Sequence, residues 1–208
     1  MSRWMPDRLR PLWDFDDLDA TEARLRGQLE SEESDAGRAE VLTQLARVCG
    51  LRDDFDGCEE LLGEAEPLAG DGVARVRVEL ERGRKLRSSG DSAAAVPLFE
   101  SAFARACELR EFWFAGDAAH MVAISDPEEM AGWTERGLEL GERETDAEYW
   151  AGPLLNNLGW WHYERGEYDQ ALEVFERALE VRKRDPANPQ AIVWAQEAID
   201  ETRKVLTS

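Results

Sequence analysis

His120 and His162 are the only imidazoles in a chain of 208 residues, and Asp117 stands one helical turn before the first of them. Imidazole and carboxylate at that spacing are the groups that hold a metal ion or relay a proton. No HExxH spacing and no third well-placed ligand accompanies them, so a histidine satisfied in a core or groove is favoured over a reactive one. Other chemistries fail more clearly. Asp53 to Gly57, DDFDG, resembles a calcium loop, yet Arg52 holds the first ligand position and Gly63 stands where the closing glutamate belongs. No glycine-rich phosphate loop ending in GK[ST] and no GxSxG elbow occurs. The expectation is a non-catalytic protein with no cofactor and no metal.

Composition narrows the partners. With 45 acidic against 25 basic residues the formal charge is -20, a field that repels phosphate backbones and anionic headgroups. Nucleic acid and membrane surfaces are therefore poor candidates, and a protein or peptide is the expected partner. The first residues, MSRWMPDRLRPLWDFDD, are broken by Pro6, Pro11 and charges. They do not form a secretory signal, and no stretch approaches the roughly 20 apolar residues of a membrane span. A cytoplasmic location is expected. Cys49, Cys58 and Cys107 are odd in number and lack CxxC spacing, which fits small buried thiols better than a disulfide framework or structural zinc.

The elements that must position these residues show themselves as a repeat. In LGWWHYERGEYDQALEVFERAL, Leu158 and Gly159 begin a pattern continued by Gly166, Tyr168, Ala171, Phe175 and Ala178. Small residues at such spacing let two antiparallel helices approach while large ones fill the gap between them. This stretch resembles a tetratricopeptide repeat. It departs from the signature at Leu155, where tryptophan is usual, and at His162, where tyrosine is usual; the closing proline, Pro186, also arrives late, which predicts a longer second helix. Weaker copies carry Leu45, Ala46, Phe55, Cys58, Leu62 and Ala65, then Gly83, Gly90, Ala95, Phe99 and Ala102, then Ala118, Met130, Thr134 and Gly137. The resemblance extends to small bacterial stand-alone members of that family.

It implies an all-α fold, a right-handed α-α superhelix of four helix pairs with capping helices at both ends. The expected divisions are an N-terminal arm over 1–16 and one repeat domain over 17–208. Its repeats lie near 36–70, 71–110, 111–146 and 147–186, and a C-terminal capping helix covers 187–206. Asp19 to Glu22 has capping-box spacing for the first helix. Ser125 to Glu128 reads as a cap and helix start, and Pro97 should kink its helix or delay its start. Trp13 and Phe15 are expected to pack on the first repeat, the alternative being an arm that docks on another molecule.

The resemblance also implies which side chains line the concave groove. Carried over by position, these are Glu40, Thr43, Arg47 and Gly50; Arg77, Leu80, Arg84 and Arg87; Phe112, Ala115, Ala119 and Val122; and Pro153, Asn156, Trp160 and Tyr163. The candidate peptide site is Arg47, Arg77, Arg84, Arg87, Phe112, Asn156, Trp160 and Tyr163, basic at one end and aromatic at the other. Guanidinium groups hold carboxylates and an indole supplies an apolar anchor, so an acidic peptide with a hydrophobic residue near Trp160 fits it. The competing reading is a helix laced with surface ion pairs, since Arg77 and Glu81, like Glu81 and Lys85, are four apart. The carboxylate clamp of chaperone-binding members is not reproduced, because Thr43 and Arg47 stand at its first two positions. Stacking is expected to pair Arg82 with Asp117, half-buried. Two rival functions remain. One is a homodimer burying an apolar face near Trp133, Trp150 or Trp194; the other is a small-ligand sensor or enzyme using His120 and His162, which the repeat alignment places on neighbouring helices at similar height.

Overall fold

Capping chemistry divides the chain. In the computed structural model, which describes residues 7–184 and 188–207, the side chains of Asp17, Ser34, Asp54, Asp91 and Asn188 each accept a hydrogen bond from a backbone N–H of the following first turn. Such caps satisfy donors that a helix start leaves orphaned. The helices that result are α1 (Leu18–Ser31), α2 (Asp35–Leu51), α3 (Phe55–Ala65), α4 (Val73–Ser88) and α5 (Ser92–Leu109). They continue as α6 (Phe112–Ser125), α7 (Met130–Arg143), α8 (Ala151–Glu164), α9 (Tyr168–Arg182) and α10 (Pro189–Leu206). Among the described residues there is no strand; 3-10 turns cover Arg10–Leu12, Glu66–Leu68 and Thr145–Trp150.

Each helix packs on the next, and α2 also lies beside α4, α4 beside α6 and α6 beside α8. This is a helical solenoid: the pairs α2/α3, α4/α5, α6/α7 and α8/α9 stack, with α1 and α10 at the ends. Glycine and phenylalanine make the joint within two of the hairpins. A Cβ on Gly83 would collide with the ring of Phe99, and one on Gly159 with that of Phe175. Both rings are fully buried. Gly90 and Gly166, at the turns that close the same two hairpins, have φ of 98° and 75°, where a side chain would be strained.

Local expectations fare unevenly. Pro97 does not delay α5, which begins at Ser92 and carries the proline inside it. The segment after Ser125 is a turn, and α7 starts only at Met130. The cap of α1 is Asp17 rather than Asp19, which instead pairs with Arg52 at 2.5 Å. Pro186 lies outside the described residues. Cys49, Cys58 and Cys107 are free, and burial pushes the Cys58 thiol up to about 12.

Candidate functional site

Two of the hollows on the face where α2, α4, α6, α8 and α10 present themselves are built differently. The first, of about 150 Å³, lies between the segment 7–15 and the helices α2, α4 and α6, with Trp150 on its far wall. Leu9 anchors that segment, buried against Leu25, Val41, Leu45 and Val48. Trp13 donates from Nε1 to Gln44 Oε1 at 3.0 Å and stacks on Phe15. Asp7 pairs with Arg77, whose Nε donates to Glu40 Oε2 at 3.1 Å and whose guanidinium lies 4.5 Å from the centre of the Phe114 ring. Only 3% of Arg77 is exposed, so these partners replace the water it loses on folding.

The ionic chain continues along the face. Glu81 accepts from Arg47 at 3.3 Å and from Arg84 at 2.5 Å, and Arg84 reaches Asp117 at 2.5 Å. Burial alone would make Arg84 easier to deprotonate, but Asp117 and Glu81 outweigh it and hold its pKa above the ordinary value. Arg47 moves the other way: burial and then the like charge of Arg84 lower it, against the weaker pull of Glu81 and Asp117. The shared carboxylate sits closer to Arg84, which accounts for the difference. Arg82 does not meet Asp117; it pairs with Glu66 at 3.0 Å and Glu59 at 3.3 Å, and Arg84 takes its expected place.

The second hollow, of about 440 Å³, runs between α8 and α10. Trp160 and Trp194 stand on its walls, a repeat length apart in sequence, with Ala191, Ala195 and Ala198 between them. Trp160 is half-buried, edge-on to Phe175 and Tyr163, while Trp194 is 59% exposed. Asn156 and Arg182 line the hollow near the start of α10, and Glu197 and Glu201 line it further along. The Tyr163 hydroxyl donates to Glu201 at 3.3 Å. His120 also lines it, with its ring against Trp150 at 5.4 Å. Asn157 Nδ2 lies 2.8 Å from His120 Nε2, an arrangement in which the neutral ring accepts at Nε2 and carries its proton on Nδ1. Burial pushes the His120 pKa down to about 4, and the cations Arg84, Arg87 and Arg182 add to that while Asp117 opposes it.

The expected site residues thus fall into separate groups. Arg47, Arg77 and Arg84 line the first hollow in company with carboxylates; Asn156 and Trp160 line the second, with Tyr163 at its edge. Arg87 faces a third recess, of about 190 Å³, with Met121 and Ile124, and its buried Nε has no hydrogen-bond partner among the described residues. Phe112 packs half-buried against the core under Arg110, and it is Phe114 that lines the first hollow. Ala115, Ala119 and Val122, read as groove positions, are fully buried. Their stripe packs wholly inside, while Phe114, Asp117 and Met121, though nearly buried, line the hollows. The two histidines have separate partners, since His162 Nδ1 meets Glu167 at 2.6 Å. Among the described residues no cluster of three or more metal-ligating groups occurs. In the sequence Trp194 suggests only a self-association face, and Glu197 and Glu201 carry no mark on a helix that reads as a cap. The repeat-length spacing of Trp160 and Trp194 is the signal that could have found them.

Stacked helical hairpins with glycine–phenylalanine joints define the class, an all-helical repeat solenoid. Residues 39–64 and 154–184 each match a family profile described as tetratricopeptide repeat. These two segments are tetratricopeptide-type repeats, one near each end of the solenoid. Among solved structures it is similar in fold to the crystal structure of BtubC (BKLC) from P. vanneervenii, with a TM-score of 0.66, 19% sequence identity and 91% of each chain covered. No curated protein matches it in sequence. Tetratricopeptide repeats generally mediate protein–protein interaction. Among the described residues no helix is long and apolar enough to cross a membrane.

Proposed function

We propose that the protein is a non-catalytic interaction module that holds a peptide or protein segment on the face formed by α2, α4, α6, α8 and α10. The observation that carries this reading is the hollow between α8 and α10, where an exposed Trp194 and a half-buried Trp160 flank a floor of alanines. Exposed indoles in a concave, small-residue setting are the anchors that dominate interaction energetics. Arg47, Arg77 and Arg84 shape the opposite end of the face. The net charge of -20 disfavours nucleic acid and anionic membrane as partners, and three free cysteines suit a reducing cytoplasm.

The test is affinity capture from the native extract with the full chain, read by mass spectrometry beside a Trp160→Ala, Trp194→Ala double variant of equal helicity. Partners retained on the wild type should be lost from the variant. Equal retention on both would refute this face as the binding site. A second reading, self-association, is favoured by Val193, Trp194 and Leu206, all exposed on α10. Sedimentation at micromolar concentration decides it, because a dimer doubles the mass and Trp194→Ala should abolish the doubling.

A further inference from the structure

The hollow between α8 and α10 has an order of charge along its length, and this gives the peptide of the preceding reading, on which the inference rests, a specific chemistry. Arg182 closes α9 beside the start of α10. Its guanidinium lies 5.7 Å from the Tyr149 ring centre, in space that a side chain on Gly152 would fill, and it has no carboxylate partner among the described residues. The Asn156 carboxamide lines the same end, as does His120, whose Nδ1 is buried without a hydrogen-bond partner among the described residues. The indoles of Trp160 and Trp194 occupy the middle. Glu197 follows Trp194 by one turn of α10 and Glu201 stands at the far end beside Tyr163; neither is paired with a cation among the described residues, and Glu201 accepts the Tyr163 hydroxyl. Seven residues of α10, about 10 Å of helix rise, separate Trp194 from Glu201.

Charge selection cannot come from the first hollow, where Arg47, Arg77 and Arg84 already have carboxylates of this chain. The unmatched charges sit at the two ends of the second. We propose that the occupant is an extended peptide in which one bulky apolar side chain lies between an acidic residue and a basic residue. The indoles of Trp160 and Trp194 hold the apolar group, Arg182 and Asn156 hold the acid, and Glu197 and Glu201 hold the base. An extended chain advances about 3.3 Å per residue, which puts the base that reaches Glu201 about three positions from the anchor, with the acid on its other side. A peptide acidic on both sides would bring one carboxylate against Glu197 and Glu201. One basic on both sides would bring a cation against Arg182. The site therefore rejects both.

A random 12-residue peptide library displayed on phage, panned against the full chain, tests this. The expected selection is a bulky apolar residue flanked by opposite charges. Arg182→Glu should weaken a selected peptide at least tenfold, and replacing that peptide's acid by lysine should restore it. Glu197→Lys, at an exposed position, supplies the reciprocal swap and keeps the question answerable if Arg182→Glu does not fold. Apolar peptides selected without regard to charge, or affinities unmoved by either swap, would overturn the charge order and leave peptide binding standing. No enrichment above a Trp160→Ala, Trp194→Ala control would overturn both.

Discussion

The two ends of one face use arginine in opposite ways. At the N-terminal end Arg77 and Arg84 are wrapped by Asp7, Glu40, Glu81 and Asp117, and Leu9 and Trp13 lie over the same helices. At the C-terminal end Arg182, Glu197 and Glu201 line an open hollow without ionic partners among the described residues, around a tryptophan more than half exposed. Desolvated charges with matched partners fix a structure, because removing one strands the other in a medium that solvates it poorly. Unmatched charges beside an exposed indole add little to folding and remain free to meet a ligand. The repeat scaffold is common to both ends; the difference lies in which side chains the chain itself has answered.

The sharpest way to break this contrast is to remove one cation at each end. Arg77→Ala strands Asp7, leaves Glu40 to Arg8 alone and should cost about 3 kcal/mol in urea unfolding. It should also make the segment 7–15 an early site of proteolysis. Arg182→Ala should cost less than about 1 kcal/mol. Equal losses would mean that the two ends do not differ as described.

Acid titration separates the regions by a second route. His120 has its pKa depressed to about 4, so the unfolded chain binds its proton first as pH falls through the ordinary value near 6.5. Stability is then full above about pH 6.5 and declines steadily to about pH 4, by about 3 kcal/mol in total. His120→Gln should flatten the stability curve in that window. Hydrogen bonds from Arg52, Arg8 and Arg82 hold Glu22, Glu32 and Glu66 below their ordinary value of 4.5. Their contribution is present above 4.5 and fades only below it, so the variant should keep that steeper acid limb. An unchanged slope between pH 6.5 and 4.5 would show that His120 is not held neutral.

The scaffold itself should treat both regions alike. Alanine in place of Gly83 or Gly159 would gain helix propensity of about 1 kcal/mol, yet its Cβ meets Phe99 or Phe175. Overpacking should win, for a net loss of about 1 to 2 kcal/mol by denaturant titration at either joint. A loss at one joint alone would mean that the hairpins are not equivalent.

Much of this architecture could be read from small and large residues in register, and least where the repeat pattern is weakest. Gly159 with Phe175 and Gly83 with Phe99 announced their hairpins because a joint that close admits few residue types. The α6 helix could not be placed as well: Ala115, Ala118, Ala119 and Val122 offer several apolar stripes, and only packing chooses which turns inward. That choice put Phe114 and Asp117, both nearly buried, on the lining of the first hollow and gave Asp117 to Arg84 instead of Arg82. The ion pairs of segment 7–15 were equally hidden, since Asp7 and Arg77 are 70 residues apart and no periodicity links them. Arginine spacing along α4 showed a convergent basic stripe. It could not show that carboxylates from other elements would meet it.

The smallest expected change in stability is the one that speaks most directly to function. Trp194 is 59% exposed whereas Trp133 is buried, although both are tryptophans on helices late in the chain. Trp133→Ala opens a cavity and should cost about 3 to 5 kcal/mol. Trp194→Ala uncovers almost nothing and should stay within about 0.5 kcal/mol of wild type in thermal or urea unfolding. Its effect should appear in binding, where loss of a hot-spot indole is worth about 2 kcal/mol, roughly thirtyfold in affinity for a selected peptide. A variant that unfolds early would mean that Trp194 belongs to the packing of α10. One that binds as tightly as wild type would leave the apolar anchor to Trp160 alone, and the slot would lose one of its walls.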